Sequence, residues 1–183
     1  MAKTLGAAVA LALVLAGFTL AAEQKDTYNL TANLKARFEV PKATGVPAGA
    51  TGLFTGKAVE MESDQARLTW RLTFSKLSGR AAAAHIHTGK LGKAGGVMLA
   101  LCGPCRNGQR GSSNISHAQL RKIRSGGAYV NVHTGKNAAG EIRGQVKASE
   151  ASSSSGPAPT PTTPEPSPYP PYPYLVGATS GIR

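Results

Sequence analysis

Between residues 26 and 40 every second side chain is apolar or small: Tyr28, Leu30, Ala32, Leu34, Ala36, Phe38 and Val40. The intervening positions are Thr27, Asn29, Thr31, Asn33, Lys35, Arg37 and Glu39. A period of two puts one set on each side of an extended strand, so this stretch reads as a strand with one face on a core and one in water. The pattern returns at residues 53–62 and 66–74, where Leu68, Trp70, Leu72 and Phe74 form the apolar set. Only Ser63, Asp64 and Gln65 separate those two runs, which predicts a hairpin.

Residues 81–87, 95–101, 128–134 and 141–147 complete seven strand expectations. The last two are joined by Gly135-Lys-Asn-Ala-Ala-Gly140, a hairpin loop. Segments 41–52 and 103–114 read as loops from their Gly, Pro, Thr and Asn content. One helix is expected at 116–124, with Ser116 as cap, Gln119 as its reciprocal partner, Leu120 and Ile123 on one face, and Gly126-Gly127 as the stop. Seven short strands with one small helix imply an all-β fold. The expected form is an antiparallel β-sandwich of Greek-key, immunoglobulin-like or superoxide-dismutase-like type.

The ends are different in kind. Lys3, an uncharged apolar run at 5–20, and the small pair Ala21 and Ala22 follow the plan of a cleaved secretory signal over residues 1–22. The run is shorter than the roughly 20 residues that span a bilayer, so no transmembrane segment is expected in the mature chain. Residues 23–150 suit one domain. Residues 151–183 are rich in Ser, Pro, Thr and Tyr and are expected to stay disordered, with a polyproline stretch at 166–174. The destination is therefore the periplasm or the cell exterior.

The net charge is +12. In an exported protein it suggests attraction to an anionic envelope polymer or an acidic protein surface. Nucleic acid is excluded as a partner, because aromatics are sparse and the basic residues scattered. Catalytic motifs are missing too. Asp26 and Asp64 are the only aspartates and both sit at turns or strand ends, and there is neither a Gly-x-Ser-x-Gly sequence nor a phosphate loop. A non-enzymatic binding or structural module follows.

Several pieces carry more than composition. Ala84-His-Ile-His-Thr-Gly89, Gly95-Gly-Val97, the Leu120/Ile123 helix, Ala128-Tyr-Val-Asn-Val-His-Thr134 and Gly140-Glu-Ile-Arg-Gly-Gln-Val146 together resemble the CHRD (chordin-type) domain, over residues 28–147. The resemblance implies a secreted β-sandwich module of the bacterial exported type. In animal chordin such repeats belong to an extracellular protein that binds growth factors, a role that does not transfer to a chain with this signal and tail. Cys102-Gly-Pro-Cys105 is an insertion relative to that pattern.

Parity places the chemistry. His85 and His87 point to one side of their strand, and Tyr129, Asn131 and His133 share a side of theirs. Glu141, Arg143 and Gln145 face away from the core on the next. Three strands thus offer polar groups to one surface. Neutral imidazoles from His85, His87 and His133 suit copper or zinc, with Asn131, Glu141 and Arg143 as supporting or ligand-binding residues. The alternative is a hydrogen-bond network that braces the sheet. Cys102 and Cys105 spell the thioredoxin tetrapeptide, but in this context they read as a disulfide pinning a loop, with thiol–disulfide chemistry as the alternative. His117, in the first helical turn, is expected outside the cluster.

Overall fold

The computed structural model describes residues 25–151. The expected signal segment and the Ser/Pro/Tyr-rich tail lie outside them. The elements, in chain order, are β1 (Thr27–Lys35), a 3-10 turn (Ala36–Phe38), β2 (Thr51–Glu60), β3 (Gln65–Ser75), β4 (Ala81–Thr88), β5 (Val97–Cys102), β6 (Gln109–Ser116), α1 (His117–Arg124), β7 (Ala128–Thr134), β8 (Ile142–Gln145) and β9 (Lys147–Glu150). All described pairings are antiparallel. The strands run in the order β5-β4-β7-β8-β1-β2-β3-β6, with β9 added to β1. The all-β expectation holds, and the sandwich-like layering comes from one sheet curled into a nearly closed, barrel-like arrangement.

The alternation in β1 converts directly into burial. Tyr28, Leu30, Ala32 and Leu34 are all buried, and the residues between them are exposed or partly so. They meet Phe54 and Ala58 of β2, Leu68, Trp70 and Leu72 of β3, Ile86 of β4, and Val130 and Val132 of β7 in a single core. Helix α1 closes that core with Leu120 and Ile123. Its capping box is formed as the sequence implies. The Gln119 N–H donates to Ser116 Oγ at 3.1 Å, and the Ser116 N–H donates to Gln119 Oε1 at 2.8 Å.

Beyond shifts of one or two residues at strand ends such as those of β2 and β5, three features differ from the sequence reading. The first run does not remain a strand to residue 40. Lys35 pairs with Thr51, the first residue of β2, so beyond it β1 has no neighbour there and turns away at Ala36–Phe38. The single strand expected at 141–147 is two, broken at Val146. That side chain is buried in the core, and its N–H donates to the Ala128 carbonyl. The loop expected at 103–114 contains most of β6. Its sequence, Gln-Arg-Gly-Ser-Ser-Asn-Ile-Ser, hides the strand because Ile115 is its one buried hydrophobic residue.

Gly111 explains how β6 packs without an alternating set of hydrophobic residues. It lies opposite Trp70, and a Cβ at position 111 would run into the indole ring. The aromatic ring fills the space that a side chain of β6 would occupy. We expect Gly111→Val to lower stability by about 1–3 kcal/mol through displacement of Trp70. Urea unfolding followed by Trp70 fluorescence checks this. Ser112→Val on the exposed side is the control, expected to change stability by no more than about 0.5 kcal/mol.

Candidate metal centre

Strand pairing brings the three histidines together. His85 lies opposite Asn131 and His87 opposite Tyr129, while His133 sits opposite Ala83 one pleat further on. The ring centroids are 5.5 Å apart for His85 and His87, 4.9 Å for His85 and His133, and 5.9 Å for His87 and His133. One nitrogen from each ring lies within 4.8 Å of the others. On the far side of β4, the register against β5 shifts between Ala84 and His85 and again between Ile86 and His87. Such irregularities twist a strand and re-aim its side chains, here at the two histidines.

The backbone fixes which nitrogens carry lone pairs. His87 Nδ1 is 3.1 Å from the Gly95 carbonyl, and His133 Nδ1 is 2.9 Å from the Ala138 carbonyl. A carbonyl only accepts, so each Nδ1 carries the hydrogen and each Nε2 presents a lone pair. This is the arrangement by which outer partners orient metal-bound histidines. His87 is 8 % exposed and its Nε2 has no partner in the protein. His85 Nδ1 lies 3.0 Å from His133 Nε2 and donates to it in this arrangement. Moving the His85 hydrogen to Nε2 frees the Nδ1 lone pair as a third ligand.

The fit to an ion is close. A tetrahedral zinc with Zn–N bonds of about 2.0 Å holds its ligand nitrogens about 3.3 Å apart. The His85/His133 pair, at 3.0 Å, is already near that spacing, and the remaining separations are within 4.8 Å. Burial pushes the pKa of His85 down, and the neighbouring His133 and His87 add to the effect. Burial also lowers that of His133, with His87 helping and the Ala138 hydrogen bond opposing. Both rings are thus held in the neutral, ligating form at neutral pH.

The expected supporting residues separate into distinct roles. The surface expected to be wet is roofed by Glu39 and the 89–96 and 135–140 loops, leaving Asn131 and Arg143 buried at 2 % and 1 % exposure. Arg143 does not face the histidines. Tyr129 stands between them: its ring stacks on His87 at 5.0 Å, and the guanidinium carbon of Arg143 lies 3.4 Å from its centroid. Because β7 has β4 on one side and β8 on the other, the aromatic ring separates the guanidinium from the imidazoles. Arg143 Nη2 donates to the Lys93 and Lys90 carbonyls at 2.8 and 3.2 Å. Gln145 Nε2 reaches the carbonyls of Gly89, Gly126 and Ala128, which ties the same loop to the end of α1.

Glu141 is not part of the cluster. It precedes β8, and its carboxylate accepts from Ser78, Thr134 and Asn137, joining the β3–β4 connection to the β7–β8 loop. Burial alone would raise its pKa, but the hydrogen bonds led by Ser78 and Thr134 outweigh that and hold it below the usual carboxylate range. His117 binds the Gln65 carbonyl at 3.0 Å, well away from the other histidines, as expected. Cys102 and Cys105 form a disulfide. The chain then continues into β6 and not into a helix, so the environment that activates a thioredoxin thiol is missing here.

Sequence reasoning missed Glu39. It is 3 % exposed and meets Asn131 where Gly140, at φ +136°, leaves room. A Cβ at 140 would sit 2.5 Å from Asn131 Nδ2 and 2.6 Å from Glu39 Oε2. Parity put Glu39 on the wet face, and nothing local marks the turn at Ala36–Phe38 that carries it inward. Burial raises its pKa to about 7, against the opposing effects of Asn131, Arg143 and the Val40 N–H.

A CHRD domain model matches residues 30–146, well over half of the sequence. The chain belongs to the CHRD family. No curated protein and no solved structure matches it. CHRD membership supports a binding or structural module, and the residues matched include His85, His87 and His133. No helix among the described residues of this CHRD protein is long and apolar enough to cross a membrane.

Glu39 gives the domain a signed pH dependence. A carboxyl whose folded pKa is raised stabilises the fold below its unfolded pKa and loses that contribution as pH rises through about 7. Glu39→Gln, which keeps an oxygen for Asn131, is expected to match the wild type near pH 4 and to exceed it by about 1–3 kcal/mol near pH 8. Thermal unfolding across that range checks it.

Proposed function

We propose that this protein is an exported binding module of the cell envelope or extracellular space whose ligand is a zinc or copper ion held by His85, His87 and His133. The observation that carries the reading is the joint geometry of the rings. One nitrogen from each lies within 4.8 Å of the others, and two of the rings are fixed by backbone carbonyls, which leaves the His87 Nε2 lone pair without a partner and turns that of His133 toward His85. A network that only braced the sheet would gain nothing from leaving the buried His87 Nε2 without a partner. Three neutral nitrogen ligands and an open fourth position suit Zn²⁺ or Cu²⁺. The proposed export rests on the apolar segment of residues 1–22.

Titration of the full chain with Zn²⁺ and Cu²⁺ is expected to give one ion per chain with a Kd of about micromolar or tighter. At a free ion concentration a hundredfold above Kd, binding should stabilise the fold by about 2.7 kcal/mol. The triple variant His85→Ala, His87→Ala, His133→Ala should fold and bind nothing. If the wild type takes up no ion and the variant merely melts lower, the histidines are a structural brace and the metal reading is wrong.

Acid should release the ion. Each ligand must be neutral to bind, so affinity falls as pH drops below about 6.5, where free imidazole protonates. The lowered pKa values of His85 and His133 place the loss at the acid side of that point. Competition titrations between pH 5 and 8 measure it (about pH 6.5 being the ordinary imidazole midpoint).

A further inference from the structure

A cleft that the histidine site does not use lies beside the break between β8 and β9. β1 pairs with β9 at Tyr28–Thr31 and with β8 at Lys35, so Ala32–Leu34 have no ladder partner on that side. A hollow of about 660 Å³ lies over the gap, bounded by Asn33, Lys35, Phe38, Leu91, Gln145 and Lys147 among others. A second, of about 500 Å³, continues past Val40 and Lys42, and the two share Arg37, Phe38 and Leu91. Both volumes fall in the range of small-molecule sites.

The lining has two characters. Leu91 is 69 % exposed and Val40 37 %, so two of the four exposed large hydrophobic residues of the described domain border this one cleft. Exposed apolar surface gathered in a concave place marks a binding site more often than scattered leucines do. Around it stand Lys35, Arg37, Lys42 and Lys147, none with a carboxylate within ion-pair distance among the described residues, and the Arg37 guanidinium also lies over the Phe38 ring at 4.8 Å. Arg124 also lines the cleft, but it is engaged by Glu60, Glu150 and the Tyr28 ring. The one carboxylate in the lining is Glu39, which is buried and lies beside Arg143. Gln145, whose Oε1 is buried without a partner, adds a polar group to the floor.

We infer that this cleft binds a single-chain amphiphile with an anionic head, the hydrocarbon lying along Phe38, Leu91 and Val40 and the head among Lys35, Arg37, Lys42 and Lys147. The charge complementarity selects the sign of the head, and the apolar floor selects a chain. A hydrophilic polyanion would leave Leu91 and Phe38 in water, and a neutral chain would leave the lysines unpaired. The inference is independent of the histidine site, and the two can fail separately.

Calorimetric titration of the full chain, with no metal added, tests it with four probes. These are decanoate below its micelle concentration, butyrate as a head without a chain, decyl maltoside as a chain without charge, and dextran sulfate as a polyanion. Decanoate is expected to bind one per chain at sub-millimolar Kd, and butyrate and decyl maltoside at least about tenfold more weakly. Leu91→Asp, at a highly exposed position, should weaken decanoate by about tenfold without lowering the melting temperature. The Lys35→Glu, Arg37→Glu pair should do the same and reduce the salt dependence, which Lys42 and Lys147 partly retain. Should the pair fail to fold, Leu91→Asp and the salt dependence of the wild type decide. Absence of decanoate binding, decanoate binding untouched by Leu91→Asp, or tight binding of dextran sulfate alone would each overturn the inference, the last marking the face as a polyanion surface.

Discussion

A guanidinium taken out of water needs other partners, and Arg143, 1 % exposed, finds them in three directions. Its Nη2 hydrogens go to the Lys90 and Lys93 carbonyls, its guanidinium carbon lies 3.4 Å from the Tyr129 ring centroid, and Glu39 supplies a carboxyl near by, while Nη1 is buried without a protein partner. An uncompensated buried charge costs several kcal/mol, so these partners are held in place as firmly as the charge requires. The consequence reaches past the arginine. The 89–96 loop that supplies two of those carbonyls also contains Gly95, whose carbonyl fixes the tautomer of His87, and whose N–H donates to the Tyr129 hydroxyl. The loop that solvates Arg143 therefore also orients His87.

The polar half of the sheet is built by the same logic on its other side. Asn131 lies between His85 and Arg143 in register and donates to the Ala139 carbonyl, in the loop that presents the Ala138 carbonyl to His133. Glu141 anchors the start of that loop through Thr134 and Asn137. Residues that touch no histidine thus decide where two imidazoles point. The pattern is that of a site supported by its outer partners, and it accounts for the burial of so many polar groups on one face.

CHRD membership sets the fold and leaves the site to be argued from its own groups, because folds host many functions. The histidine centre and the cation-rimmed cleft lie on different stretches of the same curled sheet, one between β4 and β7, the other over the β8–β9 break. They share the 89–96 loop, whose Gly95 serves the first and whose Leu91 lines the second. Both sites arise where regular ladder pairing is interrupted, at the shifted register beside His85 and His87 and at Val146. Interruptions free side chains and backbone that an ideal ladder would consume.

Strand parity made much of this readable from the sequence. Burial alternates strictly only where one face meets the core, so β1, β3, the β2–β3 and β7–β8 hairpins and the common side of His85, His87 and His133 follow from the period of two. The helix was legible because Ser116 and Gln119 cap it locally. Long-range packing decided the rest. β6 is a strand because it pairs along its length with β3, with Trp70 covering Gly111, relations that no local pattern records. Glu39 enters the interior because β2 begins at Thr51 and leaves β1 without a neighbour beyond Lys35. Tyr129 separates Arg143 from the histidines because β7 lies between β4 and β8. Sequence periodicity determines which side of its own strand a residue takes. Only the tertiary structure determines what stands opposite, because that depends on strand order, register and the loops that close over the sheet.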